Sequence, residues 1–198
     1  MPTLAAVLVT LRRAAIALVS ATLAATVLAG CSGGSDESGT PSEASSSSAR
    51  DAGAVATLVA AGLEQMEAGD QAAAKGTFEN VLTLDPENLY AHYNLGLIAQ
   101  REGRDAAAMQ SYDAALATDP AFGPALYNKA ILTERLDLDE AVSLYRQAVE
   151  ADPEFAPAFM RLGFALVHLG QDEEGEQFLE EGIRLDPSMT EVQAPSYD

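Results

Sequence analysis

Leu89-Tyr-Ala-His-Tyr-Asn-Leu-Gly-Leu-Ile-Ala-Gln100, then Arg101-Glu-Gly-Arg104, then Asp105-Ala-Ala-Ala-Met-Gln-Ser-Tyr-Asp-Ala-Ala-Leu-Ala117 reads as two helical runs about a reversal. Apolar residues recur at intervals of three and four in both runs, as in a helix that buries one face. Gly103 stands where the first run must stop and turn back. Pro120 stops the second, because proline has no amide hydrogen and clashes with the preceding turn.

The Asp119-Pro120 pair that closes this stretch belongs to a series. Asp85-Pro86, Asp119-Pro120, Asp152-Pro153 and Asp186-Pro187 follow one another at intervals of 34, 33 and 34 residues. A fixed period of this size marks a repeat protein. The unit resembles the tetratricopeptide repeat. The family's Leu-Gly pair in the first helix stands here as Leu95-Gly96 and Leu162-Gly163, is partly kept as Ala61-Gly62, and becomes Lys129-Ala130 in the third unit. The small residue that lets the second helix approach is Ala74, Ala108, Ala141 and Gly175. Four positions on comes the large apolar residue, Phe78, Tyr112, Tyr145 and Leu179. Three further on is the small position, Val81, Ala115, Ala148 and Gly182. The resemblance covers residues 55–189 as four units, about 55–88, 89–122, 123–155 and 156–189. It implies an all-α solenoid of four helix-turn-helix units whose work is to bind other proteins.

Three departures carry expectations. The third unit is one residue short across Thr133-Glu-Arg-Leu-Asp-Leu-Asp-Glu140 and lacks the turn glycine, which predicts a tighter turn. Leu58 stands where a large aromatic is common, which predicts looser packing in the first unit. Gly175 and Gly182 lie inside the last helix, each costing roughly 0.5–1 kcal/mol relative to alanine. Frayed ends around a firmer middle are therefore expected.

Ahead of the repeats, Arg12-Arg13 precedes an apolar run from Ala14 to Gly30. As a helix it would span roughly 25 Å, short of the ~30 Å hydrocarbon core. A charged flank, a short apolar stretch and a small-residue break make a secretory signal, residues 1–30. The break, Leu28-Ala-Gly-Cys31, resembles the lipobox of bacterial lipoproteins, which implies lipidation at Cys31. The apolar Pro2–Leu11 stretch before the arginines fits a start of translation near Val9 or Leu11. Residues 31–50, rich in Ser, Gly and acidic groups, have no apolar face and read as a flexible tether. The expected location is outside the cytoplasm, lipid-anchored on the outer face of the cytoplasmic membrane, or at the periplasm or outer membrane where the source has one. Cys31 is the chain's one cysteine, so no intramolecular disulfide forms.

All 30 acidic residues follow Cys31, and loss of Arg12 and Arg13 with the signal leaves nine basic ones, a net charge of −21. Such a surface repels nucleic acid and anionic headgroups. The acidic runs lack the alternating oxygen ligands of a calcium loop. The two histidines lie in different repeats with no cysteine beside them, which gives zinc no support. Hydrolase, metalloprotease, phosphate-loop and dinucleotide motifs do not occur. The chain reads as a non-enzyme without cofactor or metal.

The resemblance implies that first helices line a concave groove. It sorts Tyr90, Tyr93, Asn94, Leu97 and Arg101 of the second unit there, with Tyr127, Asn128, Ile131 and Arg135 of the third. From the fourth come Met160, Arg161, Phe164 and His168. The pairs Tyr93-Asn94 and Tyr127-Asn128 repeat at 34 residues. An asparagine amide both donates and accepts, and suits a peptide backbone; the arginines suit a carboxylate. The same pairs also suit bridges between neighbouring helices, and both readings stand. Tyr112 and Tyr145 read as core, and His92 as a packed histidine.

Beyond Pro187, Ser188-Met-Thr-Glu191 reads as a capping box. A short helical turn is expected, then a loose Pro195–Asp198 end within a short tail, residues 190–198. The apolar face near Leu179 and Ile183 would stay open and support a weak homodimer. The function expected is a membrane-tethered scaffold holding a peptide segment of another envelope protein in its groove. The alternatives are a structural subunit of an envelope assembly, or an export chaperone, docking through repeat ends or the convex face.

Overall fold

The computed structural model describes the backbone of residues 43–197 and the side chains of 52–197. The signal, Cys31 and most of the tether lie outside the described residues. Helices follow in order as α1 Glu43–Glu67, α2 Gln71–Leu84, α3 Leu89–Arg101, α4 Asp105–Thr118, α5 Gly123–Thr133, α6 Leu138–Ala151, α7 Ala156–His168 and α8 Asp172–Leu185. A 3-10 turn, Pro187–Glu191, follows. No strand occurs among the described residues. α1 packs on α2, α3 on α4, α5 on α6 and α7 on α8, and successive pairs meet through α2–α3, α4–α5 and α6–α7. Each unit packs mainly against the units next to it in sequence, the pattern of a solenoid.

The Asp-Pro pair has a local mechanism. Asp85, Asp119, Asp152 and Asp186 end the second helices at φ near −135° to −138° and ψ of 87°, 100°, 90° and 101°. A following proline forces that extended geometry. Each aspartate N–H still donates to the carbonyl four residues back. Its carboxylate then accepts from the turn that follows: from Asn88 Nδ2 at 2.8 Å, Ala121 N at 3.0 Å, Glu154 N at 3.1 Å and Ser188 N at 2.9 Å. The pair thus ends one helix and satisfies the start of the next turn.

Within three units the first helix stops at a glycine with positive φ: Gly69, Gly103 and Gly170, at 80°, 70° and 77°. The third has none, and the expected tight turn is not what forms. α5 has 11 residues where α3 and α7 have 13. The helix gives up two residues and the turn gains one, running from Glu134 to Asp137 where Glu102–Arg104 serve in the second unit. Asp137 caps α6 by accepting from Glu140 N at 2.9 Å. Leu136, with nowhere to pack, is 81% exposed.

The small first-helix position explains the pairing of each unit. A Cβ on Gly62 would sit 2.7 Å from the Phe78 ring, one on Gly96 2.5 Å from Tyr112, and one on Gly163 2.7 Å from Leu179. Phe78, Tyr112 and Tyr145 are fully buried. The expectation of a frayed fourth unit is corrected by the same geometry. A Cβ on Gly175 would lie 2.9 Å from the Gly163 carbonyl oxygen, and one on Gly182 2.8 Å from Met160 Sδ. These glycines let α7 and α8 close onto each other. The apolar packing they permit offsets their entropy cost.

Two boundaries also differ. α1 begins at Glu43, eight residues inside the stretch read as tether. At the other end Asp186, not Ser188, caps the turn. The loose end is corrected too: Tyr197 packs against the core of the last two units. Leu179 and Ile183 are half-buried, so the face expected to support a homodimer is partly covered.

Candidate functional site

The first helices start at Leu89, Gly123 and Ala156, so equivalent residues fall into three rows. One row is Asn94, Asn128 and Arg161. The next is Leu97, Ile131 and Phe164. The third is Arg101, Arg135 and His168. Because α5 stops at Thr133, Arg135 stands in the turn rather than on a helix. Carried back to α1, the rows reach Ala60, Leu63 and Glu67. Only the 34-residue offset marks these three in the sequence, since none carries the Tyr-Asn pattern of the later units.

At the first end this face is open. A cleft of about 590 Å³ is lined by Val55, Ala56, Val59, Ala60 and Leu63 of α1, with Leu84 and Tyr90 opposite. Tyr90 is 53% exposed and its ring meets Phe122 edge-on at 6.2 Å.

In the middle, the Tyr-Asn pairs are partly spent on the fold. Asn94 is buried and its Nδ2 donates to Tyr90 O at 2.8 Å. Asn128 Nδ2 donates to Pro124 O at 2.8 Å and to Tyr93 Oη at 3.3 Å, a bridge between neighbouring units. Tyr93 lies edge-on to Phe122 at 5.2 Å and Tyr127 edge-on to Phe155 at 4.9 Å, which ties α3 to the residue that starts α5 and α5 to the residue that starts α7. Burial pushes the Tyr93 phenol up to about 12, against the lowering effect of the Asn128 bond. Burial also raises Tyr112, Tyr127 and Tyr145. Among the described residues the side-chain oxygens of Asn94 and Asn128 accept no hydrogen bond, and Arg101 and Arg135 form no ion pair. Leu97 and Ile131 rest against the core with one side outward. His92 is half-buried, its Nε2 2.8 Å from Pro86 O.

At the last end the face is filled. Glu134, whose side chain is 7% exposed, accepts from Tyr145 Oη at 2.6 Å and from Arg161 at 2.9 Å. Arg161 is therefore neutralised within the fold and is not a free carboxylate receptor. Tyr112 makes the matching bond to Gln100 Oε1 at 2.6 Å. Met160 is corrected outright: its side chain is buried against Gly182 rather than open in the groove. Phe164 is half-buried and His168 exposed. The His168 ring lies 4.8 Å from that of Tyr197. Neither Glu134 nor Tyr197 was legible as a site residue, because nothing in a repeat pattern marks a buried carboxylate or a returning tail.

No described helix is long and apolar enough to cross a membrane, and no group of three or more metal-ligating side chains occurs among the described residues. Family models described as tetratricopeptide repeat match residues 59–121 and 132–194. Together they span well over half of the chain, which belongs to the tetratricopeptide repeat family. Repeats of this kind mediate contacts between proteins, on a fold that is typically non-catalytic.

No curated protein matches the chain. Solved structures with a similar fold include MamA, at 21% identity and a TM-score of 0.59, over 70% of this chain and 81% of that one. Pseudomonas aeruginosa PilF matches at 24% identity and a TM-score of 0.62, over 69% and 63%. YrrB, described as a tetratricopeptide repeat protein with an unusual peptide-binding site, matches at 23% and 0.56, over 71% and 73%.

Proposed function

We propose that the chain is a lipid-anchored adaptor that holds an extended segment of another cell-envelope protein along the first-helix face. What carries the reading is the register of that face. An asparagine row, an apolar row and a basic row run across successive units, and the apolar cleft continues them over α1. The side-chain oxygens of Asn94 and Asn128, which accept no hydrogen bond among the described residues, suit backbone N–H groups of an extended chain. Arg101 and Arg135 suit acidic side chains on it. The Leu-Ala-Gly-Cys31 junction supports export and anchoring. The position between tether and repeats would keep the face within reach of membrane proteins.

The test is crosslinking and capture of partners from membranes by the intact lipidated protein, set beside Asn94→Ala/Asn128→Ala. Loss of such polar contacts costs about 1–3 kcal/mol, so capture should fall by roughly tenfold or more while the helix signal persists. If melting drops steeply and capture follows only the folded fraction, the asparagines are bridges and the groove reading goes. Cys31→Ala should release the protein from membranes, since stable attachment needs the lipid chains. Retention after a high-salt wash would remove the anchor.

A further inference from the structure

We propose that the seat of Tyr197 is an aromatic subsite of this groove, filled in the free protein by residues 192–197. A partner segment carrying a tyrosine or phenylalanine in extended backbone binds there by displacing them. The inference rests on the groove reading and adds to it one subsite and the chemistry it accepts.

The segment behaves as a ligand on a short leash. It leaves the 3-10 turn extended, with Val192 at φ −74° and ψ 127°, and forms no regular structure through Tyr197. Val192, Gln193, Ala194 and Ser196 are exposed, while Pro195 and Tyr197 are half-buried. Tyr197 is therefore the principal anchor. Its ring packs on the buried core of the third and fourth units, on which Tyr127 and Ile131 also pack, and lies at 44° to the His168 ring. Two of these residues belong to the rows already assigned to the groove.

The fit is incomplete. The Tyr197 hydroxyl is buried and hydrogen-bonds to nothing, although it lies within the field of Glu134 and Arg161. Those two groups already hold each other. An unmade bond of this kind favours release of the tyrosine, and a phenylalanine in the seat loses nothing. A net charge of −19 over the full chain favours neutral or basic flanks on the incoming segment.

Two measurements on the full-length protein test this. First, the His168 ring protons should move on Tyr197→Ala, by loss of the neighbouring ring current, and should barely move on Tyr197→Phe. Unchanged His168 signals in Tyr197→Ala mean the seat is empty in solution, which overturns the inference and leaves the groove reading untouched. Second, a labelled peptide copying Val192–Tyr197 is titrated in trans. Binding to Tyr197→Ala should be at least about tenfold tighter than to wild type, since the internal competitor is gone. Phenylalanine in the peptide should bind at least as well as tyrosine, and His168→Ala added to Tyr197→Ala should weaken it. Equal binding to wild type and Tyr197→Ala, or binding to neither, overturns the subsite. Partner capture by the asparagine variant answers the separate question of the groove.

Discussion

The two ends of the array present the same face in opposite states. Over α1 and α3 it is an apolar cleft lined by alanines, valines and Leu63, with Tyr90 standing open at its edge. Over α5 and α7 it holds a buried carboxylate, its arginine and a returning tyrosine. The backbone plan is shared, because the residues that build it recur: the small first-helix position, the large second-helix side chain, the Asp-Pro stop. The difference comes from positions the repeat leaves free. Gln100 and Glu134 occupy equivalent places and take the same tyrosine bond, yet only Glu134 carries a charge that must be answered. A solenoid can thus keep its shape from end to end while each unit's inner face follows its own chemistry.

The widest separation between the ends should come from removing those equivalent acceptors. Glu134→Ala leaves Arg161, 30% exposed, without its partner and strands Tyr145 Oη. Breaking such a pair from one side costs about 3 kcal/mol. Gln100→Ala loses one neutral bond, about 1 kcal/mol. Chemical denaturation of both variants measures the gap. Equal losses would mean the charge pair is no more than an exposed contact.

The repeat plan could be read from the sequence because periodicity reports backbone geometry. Asp-Pro spacing places the helix ends, and Ala61-Gly62, Leu95-Gly96 and Leu162-Gly163 place the close approaches. The third unit misled because a deleted residue can leave either a turn or a helix. No glycine marks the turn of this unit as Gly103 and Gly170 do in theirs, and the cap at Asp137 decides where the next helix begins. Gly175 and Gly182 misled for the opposite reason. Propensity weighs a glycine by its entropy, and only packing shows what its missing side chain allows. Of the groove, the rows were legible but their occupants were not. Arg161 reads as free until Glu134 is found beside it.

Alkaline titration should come next in size. Tyr93 has a folded pKa of about 12 against an ordinary 10. A raised phenol pKa means the fold favours the neutral ring. That stabilisation is fully present below pH 10 and is lost as pH rises towards 12, roughly 2–3 kcal/mol. The tyrosines begin at Tyr90, and the first unit fills the same place with Phe78. Helix loss above pH 10 should therefore begin in α3–α7, with α1 and α2 protected longer in hydrogen exchange. Phenol absorbance rising in one step near pH 10, with helix intact, would contradict the burial of these rings.

Close packing gives a smaller contrast. A Cβ on Gly163 would lie 2.8 Å from the Gly175 carbonyl oxygen, and the backbone must shift to accept it. A Cβ on Gly62 meets only the far edge of the Phe78 ring, which can tilt. Overpacking costs about 1–3 kcal/mol, so Gly163→Ala should sit at the upper end and Gly62→Ala at the lower. Thermal melts in parallel decide. A larger loss at Gly62 would make the first unit the tighter one.

The smallest effect has the opposite sign. Gly76 lies inside α2, and a Cβ there meets nothing within 4 Å. It has no close approach to protect, unlike Gly175 in the corresponding helix of the last unit. Alanine removes backbone freedom from the unfolded chain without a clash, so Gly76→Ala should stabilise by about 0.5–1 kcal/mol. Gly175→Ala should destabilise, because its Cβ would meet Val167 Cγ2 at 2.6 Å. One substitution type with two signs isolates packing from propensity. If both variants stabilise, α7 and α8 do not close onto each other as described, and the filled end of the array is looser than its open one.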